Sequence, residues 1–388
     1  LEGGKVKRNK IFLIVFTVGI FLLSSLSCWA EEPVIIGLQA PITGDYAIEG
    51  QMAKQCVEIA SELINQEGGI NGPPVEIIIA DDGSNPKDSA LAAQKLISQK
   101  VVAVIGSYGS SVTEPAADLF ERNKMVSVGY GCTAVRLTMS KDRKYFFRTC
   151  GRDDSQGQFF AKFAVEAMGW KRIAIMHDNQ TYGKGVAEET LKYLEPYLQE
   201  GKAEVVYYDA VTPKEKDYSA AITKLRETQP DVWYYTAYYP EAGLLVRQGR
   251  EAGITIPFVG SNAVPNDDFV KIAGIEYAKG TLMTQEPMPQ DIDTPISKVF
   301  LEAYRAKFGD IPSSPWPIYA ADGLFALVQA IKNANSTQSE DITNAMRSMT
   351  NAEGVTGKIL FTERGDRKDI PYAMYEYNDE GKLQIYQP

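Results

Sequence analysis

The sequence predicts an α/β protein of two similar halves, each built on a parallel sheet covered by helices on both faces. Three observations predict it. Short apolar runs such as Val34-Ile-Ile-Gly-Leu38, Val75-Glu-Ile-Ile-Ile79 and Val101-Val-Ala-Val-Ile105 alternate with segments of amphipathic helical spacing, and near-continuous apolar strands belong to parallel sheets covered on both sides. After Phe146-Phe147-Arg148 the same alternation starts again. The 388-residue length suits two domains with full-sized cores.

The first 30 residues read as a targeting segment. Lys5, Lys7, Arg8 and Lys10 make a basic start, residues 11–23 an apolar core, and Ser27-Cys-Trp-Ala30 puts small residues at the −3 and −1 positions of a cut after Ala30. The apolar core is too short for a comfortable membrane span. A second reading makes Cys28 the lipidated first residue of an anchored lipoprotein, with Leu26-Ser27-Cys28 in its favour and Ser25 against it. Simple secretion, to the periplasm, is the expectation carried forward. Taking a segment of net charge +3 from a chain of net −10 leaves the remainder at −13. That acidic balance argues against nucleic acid or an anionic membrane surface as partner. No later apolar run is long enough to cross a bilayer.

In the first half, Val34 to Leu38 is a strand, followed by a Gly44-Asp45-Tyr46 turn and a helix to about Asn65. Gly68-Gly69 and Asn71-Gly72 end that helix. Met52, Cys56, Ile59 and Leu63 share one stripe of it, which makes Cys56 a buried free thiol. Residues 75–79 and 88–99 are the next strand and helix. Then Val101 to Ile105 runs into Gly106-Ser-Tyr-Gly-Ser-Ser-Val-Thr-Glu-Pro115. Ser111 and Glu114 have capping-box spacing, Pro115 is tolerated in a first helical turn, and a helix over 114–122 follows. A strand, a tight turn and a helix N-terminus present free backbone N–H groups beside the hydroxyls of Ser110 and Ser111. That is a place to hold an anion such as a carboxylate. The plainer account makes Ser111 a helix cap and Ser110 a turn filler, and the stretch alone does not choose. Met125-Val-Ser-Val128 is the fourth strand.

The second series runs through strands at 172–176, 204–208, 232–235, 257–259 and 281–283, with helices over 185–198, 218–228, 241–252 and 266–272 between them. Three more helices follow, near 297–308, 319–332 and 341–349, and two late strands, 358–361 and 372–377, close the chain. No low-complexity linker separates the halves, so several crossing segments are expected to join them. Ligands of open α/β sheets bind beyond the carboxyl ends of the strands. Two such sheets facing each other make the cleft between them the default site.

Catalytic and cofactor patterns are absent or weak. His177 is the single histidine, and no Walker A, CxxC or HExxH spacing occurs. Gly129-Tyr-Gly131-Cys-Thr-Ala134 matches G-x-G-x-x-A but follows the fourth strand, where no dinucleotide motif belongs. Asp81-Asp82-Gly83 lacks the alternating ligands of a calcium loop. The pairs Asp153-Asp154 and Asp267-Asp268 read as helix-start acids. No cofactor and no metal is expected, and no enzyme activity. Cys132 and Cys150 lie after two apolar runs and in an oxidising compartment are open to pairing as a disulfide, which spacing cannot decide. What remains is a set of polar and aromatic groups at strand ends: Tyr46 and Glu49, Tyr108 to Ser111, Cys132 and Thr133, His177 to Tyr182, Ala237 to Tyr239, and Ser261-Asn262. Together they describe a small polar site with aromatic walls.

With these residues in view the chain resembles the leucine/isoleucine/valine-binding protein family, the solute receptors of branched-chain amino acid ABC transporters. The resemblance covers nearly all of the chain after the targeting segment. It is carried by Gly50 to Asn65 with Gly68-Gly-Ile-Asn-Gly72, Ile105-Gly106 with Ser110-Ser111 and Thr113 to Pro115, and Phe147-Arg-Thr149 with Asp154-Ser-Gln-Gly157. It continues in Arg172-Ile-Ala-Ile-Met-His-Asp178, Tyr182-Gly183, Lys216-Asp-Tyr-Ser219, and Tyr238-Tyr-Pro-Glu241 with Arg247-Gln248. The resemblance implies the type I periplasmic binding fold: two Rossmann-like lobes with parallel-rich sheets joined by three crossovers, closing on ligand in the cleft between them. The lobes would be 33–152 plus 286–368, and 153–285 plus 369–388.

The resemblance also assigns roles. The Ser110 hydroxyl and nearby N–H groups would hold the ligand carboxylate, Thr133 would assist, and the Cys132 carbonyl would take the ammonium. Tyr182 and Tyr238 would close the pocket from the second lobe. Two departures stand out. Asn262 occupies the place of a glutamate that pairs with the ligand ammonium in branched-chain binders, and Glu49 the place of an aromatic. Asparagine accepts a hydrogen bond but carries no charge, so Asn262→Glu is expected to improve leucine binding. Tyr108 points to a flatter or more polar ligand than leucine. The expected partners are a small carboxylate-bearing solute and an ABC permease, with the receptor a monomer. The alternative is a sensory subunit for an aromatic or other organic acid, acting through a separate membrane receptor.

Overall fold

The computed structural model describes residues 32–387; the targeting segment, with Cys28 and the cut after Ala30, lies outside the described residues. Five strands form the first sheet: β1 Val34–Ala40, β2 Val75–Asp81, β3 Ala103–Ile105, β4 Val126–Gly129 and β5 Phe146–Arg148. All pair in parallel, in the order β2-β1-β3-β4-β5. Every residue of β3, β4 and β5 is buried, as near-continuous apolar runs require when helices cover both faces.

The second sheet starts with β6 Arg172–His177, β7 Glu204–Ala210, β8 Val232–Tyr235, β9 Phe258–Gly260 and β10 Leu282–Gln285, again in parallel. A two-residue hairpin, β11 Glu353–Gly354 and β12 Gly357–Lys358, stands apart. The chain ends in β13 Ala373–Tyr377 and β14 Leu383–Ile385, which extend the second sheet antiparallel beyond β10. Its order is β14-β13-β10-β9-β8-β6-β7. The order of each sheet reverses once near its N-terminal strand, between β1 and β3 in the first and between β6 and β8 in the second. Crevices open at such switch points, beyond the strand carboxyl ends. The loops after β1 and β3 therefore face those after β6 and β8.

The chain crosses between the halves three times: after β5 into helix Asp153–Lys162, after β10 into the segment before helix Pro295–Phe308, and from the β11-β12 region into β13. Helices Pro295–Phe308 and Trp316–Ala334 return to pack on helix Ala47–Gln66 of the first half. Arg148 anchors the first and third crossings. Its guanidinium is fully buried, with Nε 2.6 Å from Asp366 Oδ1, Nη1 donating to the carbonyls of Cys132 (2.8 Å) and Ala134 (2.9 Å), and Nη2 donating to Thr138 Oγ1 at 2.7 Å. A buried charge is tolerated when its hydrogen bonds are met in this way.

Several elements differ from the sequence reading. Helix Ser110–Arg122 begins four residues earlier than expected, with Gly109 as its N-cap at φ 87°, a left-handed conformation that glycine adopts without a Cβ penalty. The Ser111–Glu114 capping box does not form; Glu114 instead pairs with Arg136, and Pro115 lies inside the helix rather than in its first turn. The strand expected at 358–361 shortens to β12 plus a single bridge between Phe361 and Arg367. β14 carried too little apolar pattern to be foreseen. Cys56 is a buried free thiol, as its stripe implied. Gly129-Tyr-Gly131 serves packing: a Cβ on Gly131 would come within 2.4 Å of the Tyr108 ring.

Candidate functional site

Helix Ser110–Arg122 leaves β3 at the first switch point, and its N-terminus is buried. First-turn N–H groups have no partner within the helix. The Ser110 side chain is fully buried and its Oγ accepts from the Ala134 N–H at 3.1 Å, which leaves its own proton to donate elsewhere. Ser111 is only half-buried. From the second half Tyr238 reaches this point: its hydroxyl faces the Ser110 N–H and lies 3.2 Å from where a Cβ of Gly109 would stand. Gly109 thus lets a second-lobe oxygen approach the helix N-terminus.

Aromatic rings wall the cleft from both sides. Tyr46 stacks on Tyr238 at 4.4 Å between centroids, and Tyr182 lies 5.1 Å from Tyr238. Tyr108 meets Tyr238 at 6.1 Å and Trp316 at 6.0 Å, edge to face. Further bonds hold the halves together. Tyr239 Oη donates to the Asp45 carbonyl at 2.8 Å, Asn266 Nδ2 to Glu49 Oε1 at 3.1 Å, and Arg136 Nη2 to Thr181 Oγ1 at 3.0 Å. The lobes are closed on each other.

Within this seam several buried polar atoms have no hydrogen-bond partner: the hydroxyls of Tyr108, Tyr130 and Thr133, and both carboxylate oxygens of Asp153. Other acids are engaged. Glu49 accepts from Ser314 Oγ at 2.5 Å and from Asn266, and burial pushes its carboxyl up to about 7. Asn262 accepts from Tyr182 Oη at 2.5 Å and donates through Nδ2 to Glu286 Oε2 at 3.0 Å. Glu286 is fully buried, which raises its pKa, and its other oxygen accepts from Tyr372 Oη at 3.0 Å.

The structure thus brings Ser110, Tyr108, Thr133, Tyr182, Tyr238 and Asn262 to one seam, with Glu49 beside it. Ser111 is at its edge. The Cys132 carbonyl already accepts from Arg148 Nη1 at 2.8 Å, which leaves one lone pair for a second donor. Cys132 and Cys150 stand as buried free thiols that are hydrogen-bond neighbours, not as a disulfide; both are packed around Arg148, which fixes the strand ends without a covalent link. His177 is turned away, its Nδ1 accepting from the Asn179 N–H at 3.0 Å and its ring against Tyr208. Sequence reasoning missed Asn266, Ser314, Glu286 and Tyr372, whose partners are far off in the chain. It also read Asp153 as a helix-start acid, which its position satisfies. Among the described residues no cluster of metal-ligating side chains occurs.

The model of the periplasmic binding protein family matches residues 33–382. The chain belongs to the periplasmic binding protein family. Among its relatives, the Leucine-, isoleucine-, valine-, threonine-, and alanine-binding protein of Pseudomonas aeruginosa is 33% identical over 381 residues, covering 98% of each chain. A leucine-binding protein of Thermotoga maritima superposes with a TM-score of 0.83 at 27% identity, over 91% of this chain and 98% of that one. The branched-chain amino acid transporter substrate-binding protein of Streptococcus pneumoniae, solved with isoleucine, gives 0.82 at 27%, over 92% and 100%. The two-lobed α/β fold is thus that of a periplasmic binding protein.

Proposed function

We propose that this periplasmic binding protein is the solute receptor of an ABC importer, capturing an amino acid by closure of its two lobes. The single observation that carries the reading is the buried N-terminus of helix Ser110–Arg122, with Gly109 clearing the approach and a second-lobe hydroxyl already set against it. A ligand carboxylate takes the place of that hydroxyl, receiving the Ser110 N–H and the free Ser110 proton, a pairing that the helix dipole favours. Tyr182 and Tyr238 close over it, Tyr108 and Tyr46 wall it, and exclusion of water strengthens each polar contact. The work is reversible binding, not catalysis.

The lobes are 33–152 plus 286–368 and 153–285 plus 369–388, a division supported by which segments enter which sheet. The receptor acts as a monomer in the periplasm after removal of the segment ending near Ala30, and the closed form is read by a permease in the inner membrane. Thermal melting tests the reading on protein refolded to strip bound ligand. A solute that binds only the folded state at a hundred times its dissociation constant stabilises it by about 2.7 kcal/mol. Shifts with one or more L-amino acids, lost in Ser110→Ala, are expected. No shift with any amino acid would overturn the reading.

A further inference from the structure

The cleft poses a charge problem. An α-amino acid brings an ammonium group, yet the acids around the seam are mostly committed. Asn262 is neutral and its amide oxygen is taken by Tyr182. Both oxygens of Glu286 accept hydrogen bonds, and so do both of Glu49. Asp178 uses one oxygen to accept from the Gln180 N–H at 3.0 Å. Asp153 alone among these acids is fully buried with neither oxygen bonded. A buried carboxylate without a partner is costly, and such a group calls for an explanation by what it meets in the working state.

Its placement supplies one. The Asp153 N–H donates to the Thr133 carbonyl at 3.0 Å, and the Thr133 hydroxyl, also unpartnered, lies beside the carboxylate without a well-formed bond between them. The next residue, Ala134, donates to Ser110 Oγ. Hydrogen bonds from main-chain N–H groups therefore link Ser110 to the segment Thr133-Ala134, and that segment to Asp153. Within the same lobe, Gly185 of helix Thr181–Gln199 leaves room for the carboxylate: a Cβ there would stand 2.8 Å from Asp153 Oδ2.

We propose that Asp153 supplies the negative charge that holds the ligand's ammonium group, with the Thr133 hydroxyl as second acceptor, in place of the acid that Asn262 lacks. The inference rests on the amino-acid reading of the cleft. Burial of Asp153 pushes its carboxyl up to about 8; the Thr133 hydroxyl and then Arg148 oppose that shift, while Asp154 and, on the facing helix, Glu189 add to it. At neutral pH the group is largely protonated, so arrival of an ammonium expels a proton.

The test takes whichever of the twenty L-amino acids shifts melting most, and its analogue lacking the amino group, into calorimetry. Wild type, Asp153→Asn and Asp178→Asn are compared in two buffers of different ionisation enthalpy at pH 7. Asp153→Asn is expected to weaken the amino acid by about thirtyfold or more, to leave the deaminated analogue nearly unchanged, and to abolish proton release. Asp178→Asn should keep the amino acid's affinity. If Asp153→Asn does not fold, wild type must still release a proton on binding the amino acid and not the analogue; absence of that release overturns the inference. Unchanged affinity in a folded Asp153→Asn overturns it while leaving the amino-acid reading intact. A wild type that binds no amino acid overturns both.

Discussion

Asn262 and Glu286 are joined by a hydrogen bond of 3.0 Å, Nδ2 to Oε2, so the position that lacks an acid rests directly on a buried one. This reverses the simple expectation for Asn262→Glu. That change alone sets two carboxylates in contact, and close like charges cannot both ionise. We expect it to lower stability by roughly 2 kcal/mol, since a buried donor is replaced by a charge, and not to improve leucine binding. Adding Glu286→Gln should recover the melting temperature, which thermal unfolding of the single and double variants checks.

Glu49 makes the cleft seam pH-sensitive. Its carboxyl is buried and pushed from 4.5 up to about 7. An acid raised in this way holds its proton more tightly folded than unfolded, so charging it costs stability as pH rises from 4.5 through 7. Below 4.5 both states are protonated and the cost vanishes. Glu49→Gln keeps a donor and an acceptor for Asn266 and Ser314 but cannot charge. It should match wild type near pH 4.5 and exceed it by up to about 3 kcal/mol by pH 8. Urea titrations across that range give the difference directly.

Ser110 and Ser111 should separate cleanly. Ser110→Ala removes a buried hydroxyl that receives the Ala134 N–H and is free to donate to ligand. Affinity should fall about tenfold, for the loss of a charge-assisted hydrogen bond. Ser111→Ala, at the half-buried edge, should change affinity less than twofold, about 0.4 kcal/mol at most. Calorimetry with the bound amino acid distinguishes them.

Arg148→Ala should be the most damaging single change. It removes the buried partner of Asp366, leaving that carboxylate only Arg152 Nη1 at 3.0 Å and the Thr138 hydroxyl, and takes a donor from the carbonyls of Cys132 and Ala134. Breaking one partner of a buried pair costs about 3–5 kcal/mol, read as a large fall in denaturant midpoint.

The strands, and the placement of Tyr182 and Tyr238 at the cleft, were legible in the sequence because their determinants are local. Apolar runs mark β3 and β4, and Ser110, Tyr182 and Tyr238 sit just past strand ends, where topology puts ligand contacts. The start of helix Ser110–Arg122 was not legible. Its cap is a left-handed glycine, whereas the visible capping pattern belonged to Ser111 and Glu114, whose side chains do other work. The polar wiring was hidden for a different reason. Glu49 meets Asn266 and Ser314, more than two hundred positions away, and no periodicity encodes such pairs. Asp153 was read correctly as a helix-start acid, but its burial was not legible, because an exposed and a buried helix-start acid look alike in sequence.

The two halves share a dependence on the end of the chain. The first sheet needs helix Trp316–Ala334 to cover it, and the second gains its outer strands only from residues 373–385. A polypeptide emerging from its N-terminus, from a ribosome or a narrow channel, can finish neither core until its last fifth is out. For most of its passage such a chain stays threadable, and folding becomes a late event shared by both halves.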